Sequence, residues 1–254
     1  MPHMKKVSVG HPLIRLQSVD STNAYATRLL QKSKVNEGTV ILAEYQTMGK
    51  GQVGNRWVSE AGSNLLFSLI LRPDFLLAER QFYISMCVSS AIVDFLLPFS
   101  NDVFTKWPND ILLNRKKVAG ILIENSIMHK NLHTSVVGIG LNVNQSEFPP
   151  GVPNPTSLSL VTGRQFNLSA SRKLLLKSLT LHLNKLYGQR FGEIKTLYLN
   201  NLHGMNEWAM YTDSTRTFEG RIVDVADTGE LIVVHRTGST RQYGFREIES
   251  TPIY

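Results

Sequence analysis

The segment 49–57 combines three glycines with two cationic side chains, in the order Gly-Lys-Gly-Gln-Val-Gly-Asn-Arg-Trp. Glycines let backbone N–H groups approach an anion closely, and Lys50 and Arg56 add positive charge. The segment matches neither the dinucleotide-binding fingerprint nor the P-loop, because it has no Gly-Lys-Ser/Thr and a strand is expected after it. We interpret it either as a phosphate-binding loop or as a mobile surface loop.

Two further segments place a lysine beside an expected strand. Lys-Trp-Pro-Asn-Asp at 106–110 predicts a rigid turn that carries a cation and a carboxylate, and a purely structural turn is the alternative. Lys117 begins the apolar run 117–124, where a lysine held near the core would polarise a bound anion strongly. The alternative for Lys117 is an edge lysine that protects its strand from pairing with another chain.

Glycines also interrupt an expected strand at 138–144, which reads Gly-Ile-Gly-Leu-Asn-Val-Asn. Alternation along a strand puts Gly138, Gly140, Asn142 and Asn144 on one face and the apolar residues on the other. Glycines inside a strand indicate that another group approaches the backbone closely. The glycine and amide face could accommodate a planar ligand, and a bulge beside a helix is the structural alternative.

The elements that must position these residues follow from periodicity and turn residues. The segment 20–23, Asp-Ser-Thr-Asn, offers helix-capping side chains, and Asn114-Arg115 lies where a hairpin turn would join 111–113 to Lys117. Four prolines and a glycine make 148–155 a loop. Strands are predicted at 13–16, 39–45, 65–71, 103–106, 117–124 and 135–143, and helices at 24–31, 78–97 and near 193–202. A further amphipathic helix is marked by Leu174, Leu175, Leu179, Leu183 and Leu186.

The pattern changes beyond Gly204, where short β-rich runs alternate with Thr-Gly turns. The runs are 217–225, 231–234 and 242–248. They predict a small antiparallel barrel after an α+β domain with a mixed sheet and helices. We therefore expect two domains, 1–205 and 206–254.

Charge and composition limit the function classes. The chain of 254 residues has 27 Lys and Arg against 20 Asp and Glu, and the excess positive charge lies entirely in 1–205. Such a charge favours a polyanion or a nucleotide phosphate as ligand, although a solvated surface explains it equally well. The single cysteine, Cys87, excludes an internal disulfide and a cysteine-based zinc site. Because no apolar run is long enough to span a bilayer and no signal peptide is visible, we expect a cytoplasmic protein.

The order of these motifs resembles that of the biotin protein ligases, over residues 13–160. The motifs that carry the resemblance are 20–23, Glu-Tyr-Gln at 44–46, the glycine loop ending in Trp57, 106–110, Lys117 with Gly-Ile-Leu-Ile-Glu, and 138–144. The C-terminal β-rich part resembles the SH3-like domain of that family, and the first part its class II synthetase-like catalytic domain. Because no winged helix-turn-helix precedes residue 13, the chain resembles the monofunctional type.

The resemblance implies an enzyme that joins biotin to ATP as biotinyl-AMP, with release of pyrophosphate. It then transfers biotin to a lysine of a biotin carboxyl carrier protein domain. ATP with Mg²⁺ and biotin are the implied ligands, the metal ligands being unknown. No sequence-specific DNA binding and no membrane association are implied, and a homodimer is compatible with the resemblance.

The resemblance also implies roles for individual residues by motif position. Lys117 and Lys50 would be catalytic, with Lys117 at the biotin carboxylate and the α-phosphate. The implied biotin-binding residues are Ser21, Thr22, Asn23, Gln46, Lys50, Gly51, Gln52, Lys117, Gly120 and Gly138. The implied nucleotide-binding residues are Arg56, Trp57, Lys106, Asn109, Asp110 and Asn142, with Asn142 at the adenine. Lys50, Gln52 and Asn55 stand where the family commonly has arginine, which puts firm retention of the phosphate by this loop in doubt.

Two other functions fit parts of the sequence. A lipoate–protein ligase shares the general architecture, but the motif at 106–110 and the glycine loop argue against it. A non-catalytic nucleic-acid-binding protein is suggested by the charge and the small barrel. The expected barrel is acidic, however, and lacks alternating aromatic and basic residues.

Overall fold

A computed structural model describes residues 6–52 and 54–250 and contains two sheets. The first has seven strands in the order β1-β2-β3-β7-β6-β5-β4. Its β1 and β2 are parallel, joined through a helix, and every other neighbouring pair is antiparallel. The strands are β1 (Leu13–Val19), β2 (Val40–Gln46), β3 (Leu65–Leu71), β4 (Val103–Lys106), β5 (Asp110–Leu113), β6 (Lys116–Met128) and β7 (Asn131–Leu141).

Helices cover both faces of this sheet. They are α1 (Thr22–Lys32), a 3₁₀ turn (Ala78–Arg80), α2 (Phe82–Leu96), α3 (Leu158–Thr162), α4 (Leu168–Tyr187) and α5 (Phe191–Asn200). On one face, α2 is buried along nearly its whole length between the sheet and α4 and α5, which forms the main core. On the other face, α1 packs over β2, β3 and β7 around a small apolar cluster that includes Ala26 and Ile70. This second face is left open beside α1, over β5 to β7.

The second sheet is antiparallel and follows α5. Its strands are β8 (Trp208–Asp213), β9 (Thr217–Val225), β10 (Leu231–His235), β11 (Thr240–Tyr243) and β12 (Ile248–Ser250), in the order β11-β10-β9-β8-β12. Trp107 Nε1 donates to Gly229 O at 2.9 Å and Tyr83 Oη donates to Asp227 Oδ1 at 2.8 Å, which ties the β9–β10 turn to the first sheet and α2. The arrangement agrees with a small SH3-like unit. A domain boundary at residue 205 stays a prediction.

Most predicted elements are present, and β3 has the predicted bounds. Asn114 and Arg115 have φ of 49° and 60°, as a two-residue hairpin turn requires. Leu174 was assigned wrongly to the buried face of its helix, because it is 57% exposed while its neighbour Leu175 is fully buried. The run predicted at 242–248 is two strands, since the chain turns after Tyr243 and Gly244 N donates to Glu247 Oε2. Within the described residues, no helix is long and apolar enough to cross a membrane.

Candidate active site

A cleft of about 1500 Å³ opens on the face of the first sheet beside α1. Its walls come from β5 to β7, the start of α1 and the glycine loop 49–57, and it extends to β8 and β12. All residues with a role implied by the resemblance line this cleft except Asn142. The fold thus brings together residues that are far apart in sequence.

The start of α1 lies at one end of the cleft, where helix N–H groups need acceptors. The predicted capping by the side chains of 20–23 was wrong for the N-cap residue, because Ser21 makes no side-chain cap. Instead, Gln46 Oε1 accepts the backbone N–H of Thr22 at 2.7 Å. The Asp20 carboxylate accepts hydrogen bonds from the backbone N–H of Ser21 and from both terminal nitrogens of Arg28. The Arg28 guanidinium lowers the pKa of the Asp20 carboxyl to about 2. The first turn of α1 is therefore held by Gln46 and Asp20, and Ser21 and Thr22 line the cleft.

Two residues beneath this end, Ser68 and Glu124, were not assigned a role from the sequence. Ser68, fully buried on β3, has its Oγ 2.7 Å from Thr22 Oγ1 and 2.5 Å from Asn23 Oδ1. Asn23 Nδ2 in turn donates to Glu124 Oε2 at 2.7 Å. A signal for Ser68 was present, since it is the one polar residue in the run Leu-Leu-Phe-Ser-Leu-Ile-Leu, and a buried hydroxyl needs a partner.

Lys117 reaches the cleft because of a bulge in β6. The pairing of β5 with β6 shifts register between Ile111 and Leu112, so that Val118 has no partner on β5. Without the bulge, Lys117 and Gly120 would lie on opposite faces; with it, both line the cleft. Lys117 lies on an interior strand of the sheet, so the alternative of a protective edge lysine is wrong.

The Lys117 ammonium is paired with a carboxylate. Its Nζ lies 2.7 Å from Asp110 Oδ1, and both side chains are about one quarter exposed (28% and 24%). Asn109 is fixed by donating Nδ2 to Ile121 O at 2.9 Å. An anion that binds Lys117 must therefore share the ammonium with Asp110 or displace it.

The indole of Trp57 lies flat on the glycines of β6 and β7. A Cβ at Gly140 would be 2.4 Å from Trp57 Cε2, and one at Gly120 would be 2.9 Å from Cζ3. Gly138 meets Asn23 instead, whose Oδ1 would lie 2.5 Å from a Cβ. The glycine face thus holds a planar group, as its pattern suggested, although that group is a side chain of the same protein.

The glycine loop closes on itself as a narrow hairpin. Gly51 N donates to Asn55 O at 3.0 Å, Trp57 N donates to Gly49 O at 3.0 Å, and Lys50 and Arg56 face each other across a β-bridge. This arrangement brings both cations to the cleft. Lys106 and Arg115 line the same cleft, so cationic side chains outnumber carboxylates on its walls.

Asn142 lies behind the cleft wall. It is 4% exposed and its Nδ2 donates to Thr156 O at 3.0 Å. Its Oδ1 is buried and has no hydrogen-bond partner among the described residues. A buried acceptor without a partner is costly, so this oxygen is a candidate for an external donor. The adenine role of Asn142 stays a prediction.

Metal-binding groups in the described residues are few. No cluster of three or more His, Cys, Asp or Glu is found there. Cys87 is buried among apolar side chains of α2, and burial raises the pKa of its thiol. Asp110 and the Asn109 oxygen are the ligand types that suit Mg²⁺, which commonly takes only one or two protein ligands beside substrate phosphates.

Comparison with known proteins shows the family of this chain. The biotin/lipoate A/B protein ligase family profile matches residues 15–142. A biotin–[acetyl-CoA-carboxylase] ligase of Paracoccus denitrificans is 30% identical over 86% of this chain and 92% of its own length, and the bifunctional ligase/repressor BirA of Bacillus spizizenii is 29% identical over 94% and 74%. The Aquifex aeolicus biotin protein ligase in complex with biotin and ATP has a TM-score of 0.74 at 28% identity, covering 94% of this chain and 98% of that one. The chain belongs to the biotin/lipoate A/B protein ligase family, and within it to the biotin protein ligases.

Proposed function

We propose that this protein activates biotin with ATP and transfers it to a lysine of a biotin carboxyl carrier domain. In the first step, a carboxylate oxygen of biotin bonds to the α-phosphorus and pyrophosphate leaves. In the second, the lysine amine bonds to the acyl carbon, loses a proton and displaces AMP. The single observation that carries the proposal is the cleft, which unites a polar pocket at Thr22 and Gln46 with cations at Lys117 and the glycine loop.

The positive end of the cleft suits the first step, because negative charge accumulates where the carboxylate meets the α-phosphate. We assign Lys117 to that position and Lys50 and Gly51 to the neighbouring acyl and phosphate groups. Lys106 and Arg56 extend the positive wall toward the remaining phosphates. Both steps join two bound substrates directly, so the site must position them and stabilise negative charge and needs no covalent nucleophile.

The residues present fit Mg²⁺ carried in by the nucleotide rather than by a protein cage. Asp110 and the amide oxygen of Asn109 would hold it, and the ion would neutralise charge on the phosphates. Asp110 also orients Lys117 through the 2.7 Å ion pair, so one carboxylate serves both cations.

The polar pocket at the start of α1 favours biotin over lipoate. A cyclic urea offers N–H and C=O groups to Ser21, Thr22 and Gln46, whereas a dithiolane ring offers neither. Filling the pocket with a dithiolane would leave buried polar groups unpaired, which costs about 1–3 kcal/mol for each group. The buried polar network around Thr22 thus supports a biotin ligase rather than a lipoate ligase.

The partners follow from the same chemistry. The acceptor is a carrier-domain lysine, and ATP use together with a buried free thiol at Cys87 favours the cytoplasm. We expect DNA to associate only through nonspecific charge and to dissociate steeply with added salt.

A competition assay tests the proposal. The protein is incubated with [α-³²P]ATP and Mg²⁺, together with biotin, lipoate or both, and the acyl adenylates are separated by chromatography. We expect biotinyl-AMP to form and a tenfold excess of lipoate to leave its rate unchanged. Lipoyl-AMP as the main product would contradict the proposal.

A further inference from the structure

The turn between β9 and β10 (226–230) contacts the turn that joins β4 to β5 in the cleft wall. Trp107 Nε1 donates to Gly229 O at 2.9 Å, and Trp107 directly follows Lys106 of the positive wall. We propose that Trp107 is a positioning residue, which the second sheet holds in place and which in turn fixes the segment 106–110 for the phosphates of ATP. The inference rests on the proposed function and adds a residue to which the resemblance gives no role.

The β9–β10 turn is itself fixed to α2. Gly229 N donates to Ala226 O at 2.9 Å, and Asp227 Oδ1 accepts from Tyr83 Oη at 2.8 Å. Gly229 has a φ of 110° and lies so close to α2 that an added Cβ would be 2.8 Å from Phe82 Cδ2. Glycine alone combines this backbone conformation with so close an approach. The carbonyl that accepts from the indole therefore has a defined position.

The segment 106–110 is held at two points by two different parts of the fold. Asn109 Nδ2 donates to Ile121 O at 2.9 Å, and Ile121 N donates to Asn109 O at 2.9 Å, which ties one point to β6. Trp107 is the other point, and its contacts are with the second sheet. Besides the bond to Gly229 O, its ring lies 5.4 Å from the ring of Phe245. Without these contacts, only the Asn109 end of the segment would be fixed.

The consequence of a displaced Trp107 would fall on Lys106, its neighbour in the chain. Lys106 lines the cleft and is exposed, so packing does not hold its side chain, and the position of its backbone decides which atoms its ammonium can reach. A small misplacement of a binding group weakens its contact with the ligand. The polar pocket at the start of α1 is a separate part of the cleft, so we expect a loss that concerns ATP and spares biotin.

Steady-state pyrophosphate release tests the inference. KM and kcat are measured with ATP varied at saturating biotin and with biotin varied at saturating ATP, for the wild type, Trp107→Phe, Gly229→Ala and the double variant. Trp107→Phe keeps an aromatic ring but has no N–H to donate. We expect KM for ATP to rise about tenfold, equivalent to about 1.4 kcal/mol. KM for biotin should change less than twofold and kcat less than threefold, because a phosphate contact made before and during the reaction contributes to KM.

Gly229→Ala should also raise KM for ATP about tenfold, because its Cβ forces the β9–β10 turn away from Phe82 and moves the acceptor away from Trp107. In the Trp107→Phe background it should add less than twofold, since no N–H remains to be held. Tyr83→Phe is the matched control, because it removes one hydrogen bond to the same turn but leaves the indole bond in place, and it should keep KM for ATP within twofold. Phe245→Ala, at a ring that is 49% exposed, should raise KM for ATP about threefold and serves if Gly229→Ala does not fold.

The outcomes separate the inference from the proposed function. An unchanged KM for ATP in Trp107→Phe, or equal increases in Trp107→Phe and Tyr83→Phe, would overturn the positioning role while the enzyme stays active. Equal increases from Gly229→Ala with and without the indole would overturn it as well. A wild-type protein that releases no pyrophosphate in the presence of biotin would overturn the proposed function, and this inference with it.

Discussion

Replacing Gly140 with alanine should disable the cleft by displacing Trp57. The added Cβ would lie 2.4 Å from Trp57 Cε2, whereas carbon atoms in contact are about 3.5–4.0 Å apart, so the indole must move by about 1 Å or more. Forcing a methyl group into a filled site costs about 1–3 kcal/mol of folding free energy. A displacement of this size beside reacting groups costs about 10²-fold in rate. We therefore expect kcat/KM for biotinyl-AMP formation to fall about 100-fold.

The assay compares Gly140→Ala with Gly192→Ala by pyrophosphate release and by thermal denaturation. Gly192 lies in α5, and a Cβ there meets no atom within 4 Å, so its substitution should leave activity unchanged and should not lower the melting temperature. Trp57→Ala added to Gly140→Ala should restore the lost stability without restoring activity, because the clash is gone but the indole is too. If Gly140→Ala behaves like Gly192→Ala in both measurements, the cleft does not depend on the contact of Trp57 with Gly140.

Three further changes test other parts of the account. Lys117→Ala should lower the rate of adenylate formation about 10²–10³-fold with little change in melting temperature, since a preorganised charged donor is lost; near-normal turnover in a pyrophosphate assay would contradict its role. Gln52→Arg should slow dissociation of biotinyl-AMP about tenfold in a filter-retention assay, because a guanidinium makes charge-assisted hydrogen bonds to phosphate that an amide cannot; an unchanged rate would exclude residue 52 from retention. Burial and the nearby Arg216 and Arg241 lower the pKa of His235, which stacks on Phe218 at 4.1 Å and whose Nε2 lies 3.0 Å from Tyr243 Oη. Below about pH 6.5, His235 binds a proton more readily in the unfolded chain than in the folded chain. Its contribution to the free energy of unfolding is therefore fully present above about pH 6.5 and falls below it by at most about 1.4 kcal/mol per pH unit. His235→Gln should flatten this slope in urea titrations between pH 5 and 7, and an unchanged slope would contradict the assignment.

Local pattern predicted the fold well where an element is buried on one or both faces. The continuous apolar run of β3 and the alternation of β7 gave correct strands, because a central strand must bury what it carries. The pattern failed at Leu174, because this residue is as apolar as its neighbours but lies one residue away from a buried position on α4. β8 was missed, since Trp208–Asp213 has no long β-branched run.

The sequence predicted which residues share the cleft, Asn142 excepted, but not how they are arranged in it. Motif order pointed to Lys117 and Asp110 separately, and only the bulge in β6 and the fold of the sheet bring them to 2.7 Å. The same limit applies to Trp57, whose contact with Gly120 and Gly140 joins three segments distant in sequence. Ser68 is bonded to Thr22 and Asn23 of α1, so its position as the one polar residue of an apolar run indicates a buried partner but does not identify it.

The most direct test of the account is transfer to protein. The protein is incubated with biotin, ATP, Mg²⁺ and an apo biotin carboxyl carrier domain, and the carrier is analysed by intact and peptide mass spectrometry. We predict that one carrier lysine gains one biotinyl group, that omission of ATP abolishes the product, and that Lys117→Ala slows its appearance about 10²–10³-fold. A carrier that stays unmodified after this incubation, or that gains the same mass without ATP, would contradict the central claim.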